Sequence, residues 1–186
     1  LLNFLIVAFA QLTLSNTYAE VDERIVTIGG AATEIVFALG AGSSVVAADL
    51  SSIYPPQARE LPMVGYVRNI SPEGVLSMSP DLIIATGALG PPTARNMLER
   101  LDIDIIWLPN LSTPEELLSS IKTVSERLAL TEAANALIEQ VNLGLAQSEA
   151  NSSNWTKNPS VLFLLEPPGK STPGMGGGLD SKANTL

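Results

Sequence analysis

An α/β fold built on a parallel sheet is what this sequence predicts, and three observations carry the prediction. Short β-prone runs at 24–28, 45–48, 82–85 and 103–108 alternate with stretches whose apolar residues recur at helical spacing. Clusters of Gly and Pro punctuate the change from one to the other. With 46% hydrophobic and 16% charged residues over 186 positions, the chain can bury a sizeable core. In such an alternation the strands run parallel, helices cover the sheet, and loops at the carboxyl ends of the strands line a crevice.

Residues 1–14 are apolar apart from Asn3, Gln11 and Thr13, too short for a comfortable membrane span. Thr17 and Ala19 suit the −3 and −1 positions of a signal-peptidase site, so 1–19 reads as a secretory signal peptide cut after Ala19. With no initiator Met and no basic stretch ahead of the apolar run, the start is expected to be clipped. No other segment is long and apolar enough to span a bilayer, and the mature protein is expected to be soluble.

The first strand, 24–28, stops at Gly29-Gly30, and 33–39 carries a helical pattern ended by Gly40 and Gly42. The glycine pair lacks both the GxGxxG spacing and the later lysine of a phosphate loop, so close turn packing is its predicted use. A strand at 45–48 leads into a loop, 49–60, centred on Tyr54-Pro55-Pro56. Pro62, Gly65 and Pro72 then mark a surface loop that places a phenol (Tyr66), a guanidinium (Arg68) and a carboxylate (Glu73) within eight residues, a grouping suited to ligand chemistry. Ser71 should cap a helix with Pro72 at its first position, Glu73 at its positive end, and Val75 and Leu76 buried.

The strand at 82–85 is followed by a Gly/Pro loop, 87–92, a helix over 93–101 and the strand at 103–108. Thr113 caps a helix from Pro114 with Leu117, Leu118, Ile121, Val124 and Leu128 on one face. Thr131 opens another, where Leu137, Val141 and Leu145 recur at i+4. Residues 151–154 break that run, and 161–165 read as a strand opening a second unit, with a Gly/Pro loop over 167–178. One strand and one loop cannot bury their own faces, so a second lobe is expected that this sequence holds only in part.

Composition narrows the chemistry. A net charge of −9 without a basic patch excludes nucleic acid. The chain has no Cys and no His, which removes thiolate and imidazole metal sites and Cys or His catalysis. A small α/β enzyme using Ser or Asp chemistry in the crevice is the reading from another class, and it finds no His base, GxSxG elbow or phosphate loop.

Ile28-Gly29-Gly30, Thr33-Glu34-Ile35, Ala38-Leu39-Gly40, Val64-Gly65-Tyr66-x-Arg68, Ser71-x-Glu73-Gly74-Val75-Leu76-Ser77, Pro80-Asp81-Leu82-Ile83 and Gly90-Pro91-Pro92 together resemble the periplasmic haem-binding proteins that feed ABC importers, within the helical-backbone class of solute-binding proteins. The likeness covers about 24–186. It implies two Rossmann-like α/β lobes joined by a long helix: 20–130 as the N-terminal lobe, 131–153 as inter-lobe helix and linker, and 154–186 as the start of a truncated C-terminal lobe. It also implies a monomeric periplasmic receptor, not an enzyme, that captures haem and delivers it to a permease in the inner membrane.

By that resemblance Tyr66 is the axial ligand of the haem iron, and Arg68 assists it or pairs with a propionate. Tyr54 forms a packing wall for the macrocycle, and Glu73 docks on the permease. Phenolate is a hard anionic donor suited to Fe(III), and guanidinium–carboxylate pairing is strong and directional. Tyr54-Pro55-Pro56-Gln57-Ala58 also resembles a string in cobalamin-binding relatives, so a cobalamin or ferric-siderophore receptor is the alternative within the class. Zinc and manganese receptors of the wider class usually need histidines, which this sequence lacks.

Overall fold

The computed structural model describes residues 21–153 and Ser160. The expected signal peptide and the expected second-lobe strand and loop lie outside the described residues. Within them, four strands, β1 (Ile25–Ile28), β2 (Val45–Ala48), β5 (Leu82–Thr86) and β6 (Asp104–Leu108), form one sheet in the order β2-β1-β5-β6. All three pairings are parallel. Two two-residue strands, β3 (Gly65–Tyr66) and β4 (Asn69–Ile70), make a separate antiparallel hairpin. The helices are α1 (Gly30–Ala38), α2 (Pro72–Ser77), α3 (Pro92–Leu98), α4 (Pro114–Arg127) and α5 (Thr131–Ser153).

Strand alternation divides the core in two, because successive side chains leave opposite faces of a sheet. Ile25, Leu82 and Ile84 point to a face packed by Ile35, Val36 and Leu39 in and just after α1, and by Ile121, Val124 and Leu128 in and just after α4. Val26, Ile28, Ile83 and Ala85 point the other way, onto Val75, Ala94 and Leu98 of α2 and α3, and onto Val64, Val67 and Ile70. The hairpin thus belongs to the second layer through the apolar residues on either side of Tyr66 and Arg68. Each fully buried aliphatic side chain of this kind contributes about 1.5–3 kcal/mol relative to exposure.

Three expectations need correction. The stretch around 65–70 is a hairpin rather than a loop. Leu76 is exposed while Val75 is buried, because α2 is six residues long and turns only one side to the sheet. The apolar stripe of α5 leaves the core partway: Leu137 and Val141 pack on it, but Leu143 and Leu145 are exposed. From Asn142 to Ser153 every residue of α5 is exposed, so the helix extends beyond the layers that the described residues form.

Candidate ligand-binding site

The carboxyl ends of β1, β2 and β5 bring together the glycine turn, the segment after Ala48 and the 87–91 loop. The glycine turn is closed packing. Gly29 has φ of 102°, and a Cβ there would stand 2.4 Å from Thr86 Oγ1. Its N–H donates to Asp49 Oδ1 at 2.7 Å, and that of Gly30 to Ser51 Oγ at 3.0 Å, so these donors are already satisfied within the chain. This agrees with the turn-packing reading and leaves no anion cradle.

Asp49, which the sequence reading passed over as the first residue of a loop, has no solvent exposure. Besides Gly29 N–H, its Oδ1 accepts Ser52 Oγ at 3.0 Å, and its Oδ2 accepts the N–H groups of Ser51 at 2.9 Å and Val67 at 3.0 Å. Ser52 Oγ lies 2.7 Å from Thr33 Oγ1, which lies 2.7 Å from Thr27 Oγ1. All of these side chains are buried.

The hairpin carrying Tyr66 and Arg68 is fastened on two sides. Leu50 N–H donates to Gly65 O at 2.8 Å, and Gly90 N–H donates to Val67 O at 2.9 Å. Gly65 has φ of 120°, a conformation side-chain-bearing residues rarely adopt, and this backbone bend brings the strand into register with Ile70. Tyr66 is 47% exposed. Among the described residues the Arg68 guanidinium, also exposed, has no hydrogen-bond or ion-pair partner. Five of the nine exposed large hydrophobic side chains of the described residues, Leu50, Ile53, Tyr54, Met63 and Tyr66, come from 50–66, a rim that also exposes Gln57, Arg59 and Glu60.

Tyr54 stands apart from Tyr66 in its surroundings. It is 62% exposed and lines an open groove of about 490 Å³ with Glu34, Phe37, Gly42, Pro55 and Gln57, on the outer side of α1. Neither Tyr66 nor Arg68 lines that groove. Glu73 occupies the first turn of α2, as expected. Ser71 caps the helix by accepting Gly74 N–H at 3.0 Å and donates to Glu73 Oε2 at 3.2 Å, and Glu73 itself is exposed. Among the described residues no group of three or more acidic, His or Cys side chains could hold a metal ion. No described helix is long and apolar enough to cross a membrane.

A model of the family described as periplasmic binding protein matches residues 25–185. The vitamin B12-binding protein of Vibrio cholerae serotype O1 is 39% identical over 103 residues, 55% of this chain and 37% of that protein. Among solved structures, the periplasmic heme-binding protein BhuT in complex with two hemes matches with a TM-score of 0.71 and 33% identity, over 77% of this chain and 56% of that one. The periplasmic heme-binding protein RhuT from Roseiflexus sp. RS-1, in apo form, gives 0.72 and 35%, over 77% and 55%. The chain thus spans little more than a third of the curated relative's length and about half that of the two solved structures.

Proposed function

The chain belongs to the periplasmic binding protein family, one of solute-binding proteins and not enzymes, and we propose that the intact protein captures haem in the periplasm and delivers it to an ABC import permease. The observation that carries this reading is the placement of Tyr66: a half-exposed phenol on a braced hairpin, with a guanidinium that has no partner among the described residues on the same hairpin and with Leu50 and Ile53 exposed on the segment bonded to it. A porphyrin is a flat apolar plate with two carboxylates on one edge and Fe(III) at its centre. Leu50 and Ile53 suit the plate, Arg68 suits a propionate, and the Tyr66 oxygen suits the iron. As the iron–oxygen bond forms, the phenol proton leaves to solvent. Haem is the cargo in this account. Glu73, exposed on the first turn of α2, is suited to a cationic pocket on the permease. Helix α5, whose outer half is exposed, suits the connection to a second lobe that would close over the ligand.

Cobalamin is the second reading, favoured by the 39% identity to a vitamin B12-binding protein. Tyr54 beside Pro55 would then carry more of the binding by packing on the corrin. The deciding experiment titrates the intact mature protein with haemin and, separately, with cobalamin, using wild type, Tyr66→Ala and Tyr54→Ala. Haem capture through Tyr66 predicts a high-spin ferric phenolate spectrum that Tyr66→Ala alone abolishes, with affinity reduced about 100-fold, or ~2.7 kcal/mol. Tight cobalamin uptake with no haemin spectrum would replace it with the corrinoid reading.

A further inference from the structure

We infer that Asp49 is a positioning residue for the ligand site, setting where the Tyr66 hairpin stands; this rests on the reading of Tyr66 as a ligand contact. An ionised carboxylate is an acceptor with about four lone-pair sites, and the four donors that meet Asp49 use that capacity. Each oxygen takes one donor from its own loop and one from across the site. Oδ1 holds Ser52 and reaches to Gly29, and Oδ2 holds Ser51 and reaches to Val67. One buried side chain thereby joins the turn between β1 and α1, the segment that starts at Leu50, and the hairpin.

The Val67 N–H belongs to the peptide group that joins Tyr66 to Val67. A peptide is planar, so fixing its N–H direction also fixes the carbonyl of Tyr66 and removes a soft dihedral at the residue that presents the phenol. The Tyr66 ring itself is half in solvent and gets little orientation from packing. Its placement therefore comes from the backbone. The hydroxyl chain points the same way. Ser52 spends its hydrogen on Asp49, so Thr33 must donate to Ser52, and Thr27 to Thr33. The relay runs in one direction, from β1 to Asp49, and ends on an acceptor, which locks Ser52 and Thr33 as well. A site held this way loses less freedom when it takes up its ligand, and affinity gains accordingly.

The test compares wild type, Asp49→Asn and Ile121→Val in the intact mature protein. Ile121 lies in the opposite core layer and controls for a general loss of stability. Asparagine keeps the shape of the side chain but turns an N–H₂ toward donors. The readouts are amide hydrogen exchange at Val67 and Gly29 without ligand, and haemin affinity with its phenolate absorption band. Asp49→Asn is expected to speed exchange at Val67 at least about tenfold more than Ile121→Val does, to weaken haemin by about 10–100-fold, and to shift or abolish the band. Wild-type exchange and affinity in Asp49→Asn would overturn the inference. If that variant does not fold, the wild type still decides: a Val67 amide exchanging as fast as an open loop amide is incompatible with the brace. Should wild type take up no haemin, the haem reading falls alone, and the exchange data with cobalamin affinity then decide on Asp49.

Discussion

At the amino ends of the parallel strands charge lies outside, whereas at the carboxyl ends the Asp49 charge is inside and the apolar Leu50 and Ile53 just after it are exposed. Half-buried at the surface, Arg127 reaches the exposed Asp104 at 2.6 Å and Glu23 at 3.0 Å, and its guanidinium is held above its ordinary range by hydrogen bonds first to Asp104 and then to Glu23. Arg24, just ahead of β1, donates to the carbonyls of Ser79 and Met78 while its own N–H is taken by Asp81. At the other end Asp49 is fully buried while Leu50 and Ile53, just after it, are 59% and 60% exposed. Water solvates the first arrangement well and the second poorly. An end that hides its carboxylate and shows its leucine is shaped for an apolar partner, and its buried charge serves the geometry of the rim.

The largest effect that would break this comparison is at Asp49. Asp49→Ala leaves four donors without their acceptor, three of them backbone N–H groups. Urea unfolding should show a loss of about 3–5 kcal/mol. A loss below about 1 kcal/mol would mean that water reaches these donors and that the two ends do not differ as described.

The matching change at the amino ends should be far smaller. Asp104→Ala removes one exposed partner of Arg127 and leaves Glu23 in place. The expected cost is about 0.2–1 kcal/mol, and it should shrink further as salt is raised from low to high concentration. If Asp104→Ala matched Asp49→Ala, burial would not be the reason for the contrast.

Much of the fold was legible because it rests on local periodicity. The four sheet strands, the cap at Ser71 and the face formed by Ile121 and Val124 of α4 with Leu128 just after it stand where the pattern put them. The hairpin was not legible. Its strands are each two residues long and are held by bonds to Leu50 and Gly90, which no local window contains. The Tyr66–Arg68 grouping was visible as chemistry, and the structure leaves both side chains exposed on one hairpin. Asp49 was half visible: an Asp just after a strand, with two serines following Leu50, suggests an Asx turn, and Ser51 N–H does close one on Oδ2. Its bonds to Gly29 and Val67 span 20 and 18 positions, and only the folded chain reveals them.

The smallest effect comes from an acid at the same end of the sheet as Asp49 but on the outside. Glu115 lies in the first turn of α4, which starts just beyond the carboxyl end of β6. A hydrogen bond with its own backbone, and then the Thr113 hydroxyl, hold its pKa below the ordinary carboxylate range. A depressed folded-state pKa means stability that is present above the unfolded value and is lost as pH falls through the folded one. The advantage of wild type over Glu115→Gln should therefore be present at neutral pH and disappear in acid, below the ordinary carboxylate range. Urea midpoints of the two proteins compared at pH 7 and pH 3 would show it. Since Glu115 is fully exposed, the gap should also close at high salt, whereas the cost of Asp49→Ala should not. Of two acids at one end of one sheet, one would then respond to salt and the other would not, and burial alone would account for it. A Glu115 gap that survives both acid and high salt would instead trace to helix propensity, leaving Asp49 as the member of the pair whose charge matters.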